Sequence, residues 1–261
     1  MNIQGKVVLI TGASEGIGAA CARAFERRGA RLSLIARNQE KLAQVGGPET
    51  LRTAGDVTDD ATRQQLVART LERFGAIDVL INNAGMGFYA PAWRASLDDA
   101  RRMFELNLFA PLAMVQLVVP HMRERQSGTI VNVGSVAGKI NLPWFTLYSM
   151  SKYALGALSD GLRGELKASG IHAMTVCPGY VNTEFQAHAL GRRPPGFIQN
   201  AKGALAISPD KCAQAIARGV ERNARTVLVP RVLWLLVAAA RVAPGFVEAR
   251  MAAINRTPSS P

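Results

Sequence analysis

Short runs of β-branched and aliphatic residues recur along the chain, each followed by a helix-length stretch in which apolar and polar positions alternate with a helical period. The runs predict strands over 6–11 ("KVVLIT"), 31–36 ("RLSLIA"), 51–56 ("LRTAGD"), 78–83 ("DVLINN"), 129–135 ("TIVNVGS"), 172–178 ("HAMTVCP") and 226–230 ("TVLVP"). Helices are expected near 17–28, 38–45, 60–74, 98–123, 148–169 and 209–222. Strand alternating with helix is the pattern of a mostly parallel sheet covered on both faces, so the fold class is α/β, doubly wound, with seven strands. One segment breaks the alternation: 185–208, with "GRRPPGF" in it, reads as a long excursion of the kind that forms lids and binding loops. The expected organisation is one domain over 1–230, with its substrate loop at about 183–208, and a helical extension of the same domain over 231–261.

Composition narrows the reading without changing it. At 261 residues and 48% hydrophobic, the chain suits one such domain with a well-buried core. Its formal charge of +12 raises the question of an anionic partner. The basic residues are scattered, with no run of five or more and no interleaving with aromatics, so nucleic acid is not the expected partner. Cys21, Cys177 and Cys212 are far apart, odd in number and without histidines at metal-ligand spacing; they read as buried thiols, and no metal site is expected. The opening "MNIQGKVVLITGAS" has no basic stretch followed by an apolar core and a cleavage site, so the expected compartment is the cytoplasm.

Candidate chemistry begins directly after the first strand, where "TGASEGIG" carries Gly12, Gly16 and Gly18 and leads into a helix. A tight turn, a close backbone approach and a helix N-terminus together suit the pyrophosphate of a dinucleotide. A carboxylate that holds an adenosine ribose should follow at the end of the second strand. That position reads Ala36-Arg37, and a guanidinium suits a 2′-phosphate, which points to NADP(H) over NAD(H). Glu15, just before Gly16, counts the other way because its charge would repel the same phosphate.

In "YSMSK", Tyr148 and Lys152 stand at i and i+4, which places a phenol and an amine on one helical face. The pair fits either acid-base chemistry or an unrelated surface tyrosine and lysine. The rest of the motif set decides how it reads. Glycines at i, i+4 and i+6, "GDV" with Asp56, "NNAG" over 82–85, Asn107 in "FELNLFAP", Ser135, Tyr148 with Lys152, and "PGYVNT" over 178–183 follow in the order of the short-chain dehydrogenase/reductase family. The chain resembles that family over essentially residues 5–230. The resemblance implies a Rossmann fold and an NAD(P)-dependent oxidoreductase. It implies that Tyr148 is the general acid or base, with Lys152 lowering its pKa and holding the nicotinamide ribose. Ser135 would bind the substrate oxygen, and Asn107 would anchor a water behind Lys152. On the cofactor side it implies Gly12, Ser14, Gly16, Ile17 and Gly18 at the pyrophosphate, Asp56 and Val57 at the adenine, Asn83, Ala84 and Gly85 beside the ribose, and Pro178, Gly179, Val181 and Thr183 at the carboxamide. Asn82 fits a purely structural tie between strands, Cys177 fits core packing, and His121, His172 and His188 have no motif neighbours.

Between Ser135 and Tyr148, "GKINLPWFTLYS" brings Ile140, Leu142, Trp144, Phe145 and Leu147 beside the expected reaction site. Of these, Leu142, Trp144 and Phe145 are the candidate substrate contacts, with Phe185 from the loop; Met86, Phe88, Tyr89 and residues as far as Phe197 could add to the wall. An apolar wall suits a lipophilic carbonyl or alcohol substrate, such as a long-chain 3-oxoacyl, sphingoid or steroid-like group; packing against a helix or subunit is the other reading. Reduction of 3-oxoacyl groups on an acyl carrier protein is an alternative, and a cofactor-sensing scaffold with little turnover is a second. The run 232–240 is too short to span a bilayer. With Arg231, Arg241, Arg250 and Arg256 around it, and Pro244-Gly245 as a break, the 231–256 stretch suits peripheral membrane contact on the cytoplasmic face, a pocket cover or a subunit contact. The family resemblance implies a homodimer or homotetramer.

Overall fold

A computed structural model describes residues 1–191 and 206–255. Seven strands form the central sheet: β1 (Val7–Thr11), β2 (Arg31–Ala36), β3 (Leu51–Ala54), β4 (Val79–Asn82), β6 (Gly128–Val133), β7 (Ile171–Pro178) and β9 (Thr226–Val229). Their order is β3-β2-β1-β4-β6-β7-β9, and every pairing is parallel. All seven stand within two residues of the expected positions. The reason they were readable is burial on both faces: Val8 and Ile10 of β1 point into one core cluster while Leu9 between them points into the other.

The first cluster is closed by α1 (Gly16–Glu26), α2 (Gln39–Ala43) and α7 (Pro209–Glu221), the second by α3 (Asp60–Phe74), α5 (Ala110–Glu124) and α6 (Thr146–Leu166). Helix ends follow local chemistry. Asp59 caps α3 by accepting from the Thr62 N–H at 2.8 Å, and Ser208 caps α7 with Pro209 in its first turn. The strand order reverses between β1 and β4, and in such sheets ligands bind outside the carboxyl ends of the strands at that reversal.

Two features depart from the sequence reading. The single helix expected over 98–123 is α4 (Leu97–Phe104), a π-helical turn (Glu105–Phe109) and α5. Pro111 has no N–H to return to the Asn107 carbonyl, so the regular ladder cannot pass this point. The second feature is a small parallel pair, β5 (Phe88–Tyr89) with β8 (Leu190–Gly191), which ties the start of the 183–208 loop to the segment after β4. Phe197, Arg256 and the rest of "GRRPPGF" beyond Gly191 lie outside the described residues. After β9 the chain continues as α8 (Leu233–Val242) and α9 (Pro244–Asn255).

Candidate active site

A cleft of about 780 Å³ opens at the carboxyl ends of the strands around the β1/β4 reversal. Its floor is the glycine loop. Gly12 has φ +65, and a Cβ there would stand 2.8 Å from the Ala84 Cα, so only glycine lets the two loops approach this closely. A Cβ on Gly18 would collide with the Gly12 carbonyl oxygen; Gly18 therefore packs beneath the cleft and does not line it. Asn83 locks the arrangement, its Nδ2 donating at 3.0 Å to the carbonyls of both Thr11 and Gly12. Thr11 Oγ1 in turn accepts from the backbone of Asn83 and Ala84. Asn82 plays the structural part: it is buried and donates to Asn132 Oδ1 at 2.9 Å, across β4 and β6. The N-terminus of α1 carries no side-chain cap and lines the cleft with Ser14, Gly16 and Ile17, so its N–H groups remain available to an anion.

At one end of the cleft, charges gather where β2 stops. Arg37 lines the cleft with an exposed guanidinium, 4.0 Å from the Asp56 carboxylate. Asn38 caps α2 by accepting from the Lys41 N–H at 2.8 Å, and this turn aims Lys41 back toward the glycine loop. There Lys41 Nζ meets Glu15 Oε2 at 2.6 Å, and the carboxylate raises the lysine pKa. Glu15 also lies 3.3 Å from His188 Nδ1, on the segment after β7. Sequence reasoning raised Glu15 but missed Lys41 and His188, which enter only through the fold.

At the other end stand Ser135, Tyr148 and Lys152. Tyr148 is 7% and Lys152 5% exposed, which excludes a surface pair. Ser135 accepts from the Ala137 N–H at 3.1 Å, so its own proton is free to be donated, and it hydrogen-bonds the Tyr148 phenol. Lys152 Nζ donates to the Val133 carbonyl at 3.1 Å and stands 5.8 Å from the Tyr148 ring centroid. Burial pulls the ammonium down to about 8 and pushes the phenol up to about 12, against the pull of the Ser135 hydrogen bond. The expected lowering of the phenol by Lys152 is not found: desolvation raises it, and Ser135 is the group that opposes the rise. Asn107 sits behind the cleft in the π-helical turn, wholly buried, exchanging two hydrogen bonds with the Met86 backbone at 2.9 and 3.0 Å and donating to Ser151 Oγ at 3.1 Å. Gly85 lies against both Asn107 Oδ1 and Lys152 Nζ.

Asp56, Val57, Ala84, Gly85, Pro178, Gly179, Val181 and Thr183 all line the cleft. So do Leu142, Phe145 and Phe185. Tyr148 is flanked by Phe145 and Phe185 at centroid distances of 6.3 and 6.0 Å, and Tyr89 stands edge-on to Phe145 at 4.9 Å. Trp144 is the exception. Its backbone takes φ +72 and its carbonyl accepts from the Ala90 N–H at 3.0 Å, a turn that leaves Trp144 out of the lining. Ile140 and Leu147 are likewise packing residues. Met251, from α9, reaches the lining from a part of the chain that no motif touches. Cys177 is buried with its thiol pushed up to about 11 by desolvation, as befits core packing.

Comparison with known proteins agrees with this geometry. Residues 6–192 match the family described as short chain dehydrogenase. The chain is 36% identical over 241 residues to dehydrogenase/reductase SDR family member 7B of Danio rerio, covering 87% of this chain and 78% of that protein. It is 33% identical over 234 residues to the ketoacyl reductase HetN of Nostoc sp., covering 87% and 79%. Among solved structures, a short chain dehydrogenase/reductase from Burkholderia phymatum in complex with NAD superposes with a TM-score of 0.85 at 25% identity, covering 100% of this chain and 99% of that one.

Proposed function

The chain belongs to the short-chain dehydrogenase family and is an NAD(P)-dependent oxidoreductase, and from that premise we propose that it prefers NADP(H) and interconverts ketones and secondary alcohols on a lipophilic substrate. The observation that carries the substrate reading is the aromatic wall: Tyr89, Phe145 and Phe185 surround Tyr148 in the cleft. A ketone held there exchanges water for ring faces, a gain that scales with buried apolar area.

The residues fit a nicotinamide dinucleotide, since the Gly12 turn has no Cβ to obstruct a pyrophosphate and the uncapped first turn of α1 offers N–H donors to it. When bound, that group supplies or accepts the hydride. Tyr148 gives its proton to the carbonyl oxygen in reduction or takes it back in oxidation. Ser135 donates to the same oxygen and steadies the charge that develops there. Lys152 holds the nicotinamide ribose hydroxyls, and Asn107 anchors a water that restores the proton behind it. NADP(H) preference is supported by Arg37 where a carboxylate would suit NAD(H), and by Lys41, which draws Glu15 into an ion pair and blunts its repulsion of a phosphate. The protein is expected to act in the cytoplasm as a homodimer or homotetramer.

Reduction of 3-oxoacyl groups on an acidic carrier protein is the second reading, favoured by the likeness to a ketoacyl reductase and by the +12 charge. Consumption of NADPH and NADH by the purified protein, against straight-chain ketones of rising length and a 3-oxoacyl carrier protein, tests both. We expect NADPH to be used faster and kcat/KM to climb with chain length. Turnover confined to the carrier-bound substrate would favour the second reading, and a flat response to chain length with free ketones would remove the lipophilic pocket.

A further inference from the structure

We infer that the outward face of α8, with the start of α9, is a docking surface for an anionic phospholipid bilayer. The inward face of α8 is ordinary: Leu233 and Val237 are buried against Ile140, Cys177 and Leu228, and Leu236 and Ala240 pack beside them. The outward face is not. Trp234, Leu235, Ala238, Ala239 and Val242 are all exposed, at i, i+1, i+4, i+5 and i+8, so they form one continuous side of the helix. A surface helix normally turns polar residues to water; one that is apolar all round belongs in a core or in lipid. Leu235 is 72% and Val242 86% exposed, and Phe246 in the first turn of α9 is 69% exposed.

Charge selects the occupant. Arg231, Arg241 and Arg250 are exposed around this face, and Glu248 is the single carboxylate between 231 and 252. Two copies of the chain meeting through this face would bring these arginines against their like. An anionic lipid surface attracts them, takes up the exposed side chains at its interface and suits Trp234 at headgroup depth. Among the described residues, the one helical stretch long and apolar enough to cross a bilayer, Leu97–Glu124 (α4, the π-helical turn and α5), is committed elsewhere, since Leu106, Ala110, Met114 and Val118 lie in the second core cluster.

The surface also adjoins the chemistry. Leu233 abuts Gly179, and Met251 of α9 lines the cleft itself, so a bilayer on this face borders the mouth of the apolar pocket. Entry of a lipophilic substrate from the membrane rests on the proposed function; the docking surface does not.

The experiment is sedimentation of the full-length protein with phosphatidylcholine vesicles, with and without phosphatidylglycerol, in the absence of substrate and cofactor. The expected result is binding to the anionic vesicles only, weakened by salt, and at least about tenfold weaker in a Leu235→Asp/Val242→Asp/Phe246→Asp variant. An Arg231→Glu/Arg241→Glu variant should lose the response to phosphatidylglycerol. Circular dichroism melting of each variant distinguishes lost docking from lost folding. Failure of the wild type to sediment, or equal sedimentation of a folded apolar-face variant, overturns the proposal. So does a concentration-dependent oligomer that the same aspartates dissolve without any vesicle binding, which would make the face a contact between copies. Because no turnover is measured, failure here is separate from failure of the substrate reading.

Discussion

Replacing Lys152 with methionine should make the protein more stable and inactive at once. The ammonium is 5% exposed and donates to the Val133 carbonyl at 3.1 Å. Burial lowers its pKa from the ordinary 10.5 to about 8, a gap that corresponds to roughly 3 kcal/mol spent on keeping the buried group charged at neutral pH. Methionine keeps most of the stem and removes the charge, while loss of the hydrogen bond gives back about 1 kcal/mol. The net gain is about 2 kcal/mol, or about 4–8 °C in Tm for a chain of this length. The pH dependence has a definite sign. Between about 8 and 10.5 the unfolded chain holds a proton that the folded state has released, so wild-type stability from this group rises with pH across that window. The advantage of the variant should therefore shrink over the same window and vanish above it. Thermal melting of both proteins without cofactor, at neutral and alkaline pH, measures this. A variant that melts at or below the wild type at neutral pH, or an advantage indifferent to pH, would show that Lys152 is not a desolvated ammonium.

Three further outcomes are expected. Gly18→Ala should destabilise the fold by more than about 2 kcal/mol in urea unfolding, because its methyl would meet the Gly12 carbonyl where β1 leaves the sheet; a wild-type midpoint would contradict the packing. Arg37→Asp should raise the KM for NADPH by at least about tenfold and leave NADH little changed or improved, as a carboxylate replaces a phosphate-binding fork; equal effects on both cofactors would separate Arg37 from the 2′-phosphate. With the phenol at about 12, ketone reduction should be indifferent to pH around neutrality, since Tyr148 is already protonated. Alcohol oxidation should instead rise with pH as phenolate forms, and an oxidation rate independent of pH would remove Tyr148 as the base.

The strands and the cleft loops were legible for different physical reasons. A parallel strand buried on both faces must be a continuous apolar run, so β1, β4 and β7 announce themselves; Gly12, Asn83 and the Tyr148–Lys152 pair sit at strand ends and on one helix face, positions that spacing along the chain fixes. What spacing cannot carry is contact between distant segments. Lys41 and His188 converge on Glu15 from segments far apart in the chain, and Met251 reaches the cleft from the last described helix. The β5–β8 pair is too short to have a period. Trp144 looked like pocket lining because its neighbours are, but the left-handed turn at its backbone sends the lining role to Leu142 and Phe145. The direction of the Tyr148 pKa was likewise hidden, because the sequence shows the lysine beside it and not the depth at which both are buried.

Transfer of the proton by Tyr148, in a hydride-exchange reaction on an apolar ketone, is the proposal on which the rest depends. Its most direct test is the single-turnover oxidation of bound NADPH by a long-chain ketone in the wild type and in Tyr148→Phe, with NADPH affinity measured alongside. The expected result is a fall of about 10²- to 10⁴-fold in the rate with affinity retained. A phenylalanine variant that reduces the ketone at the wild-type rate would contradict it.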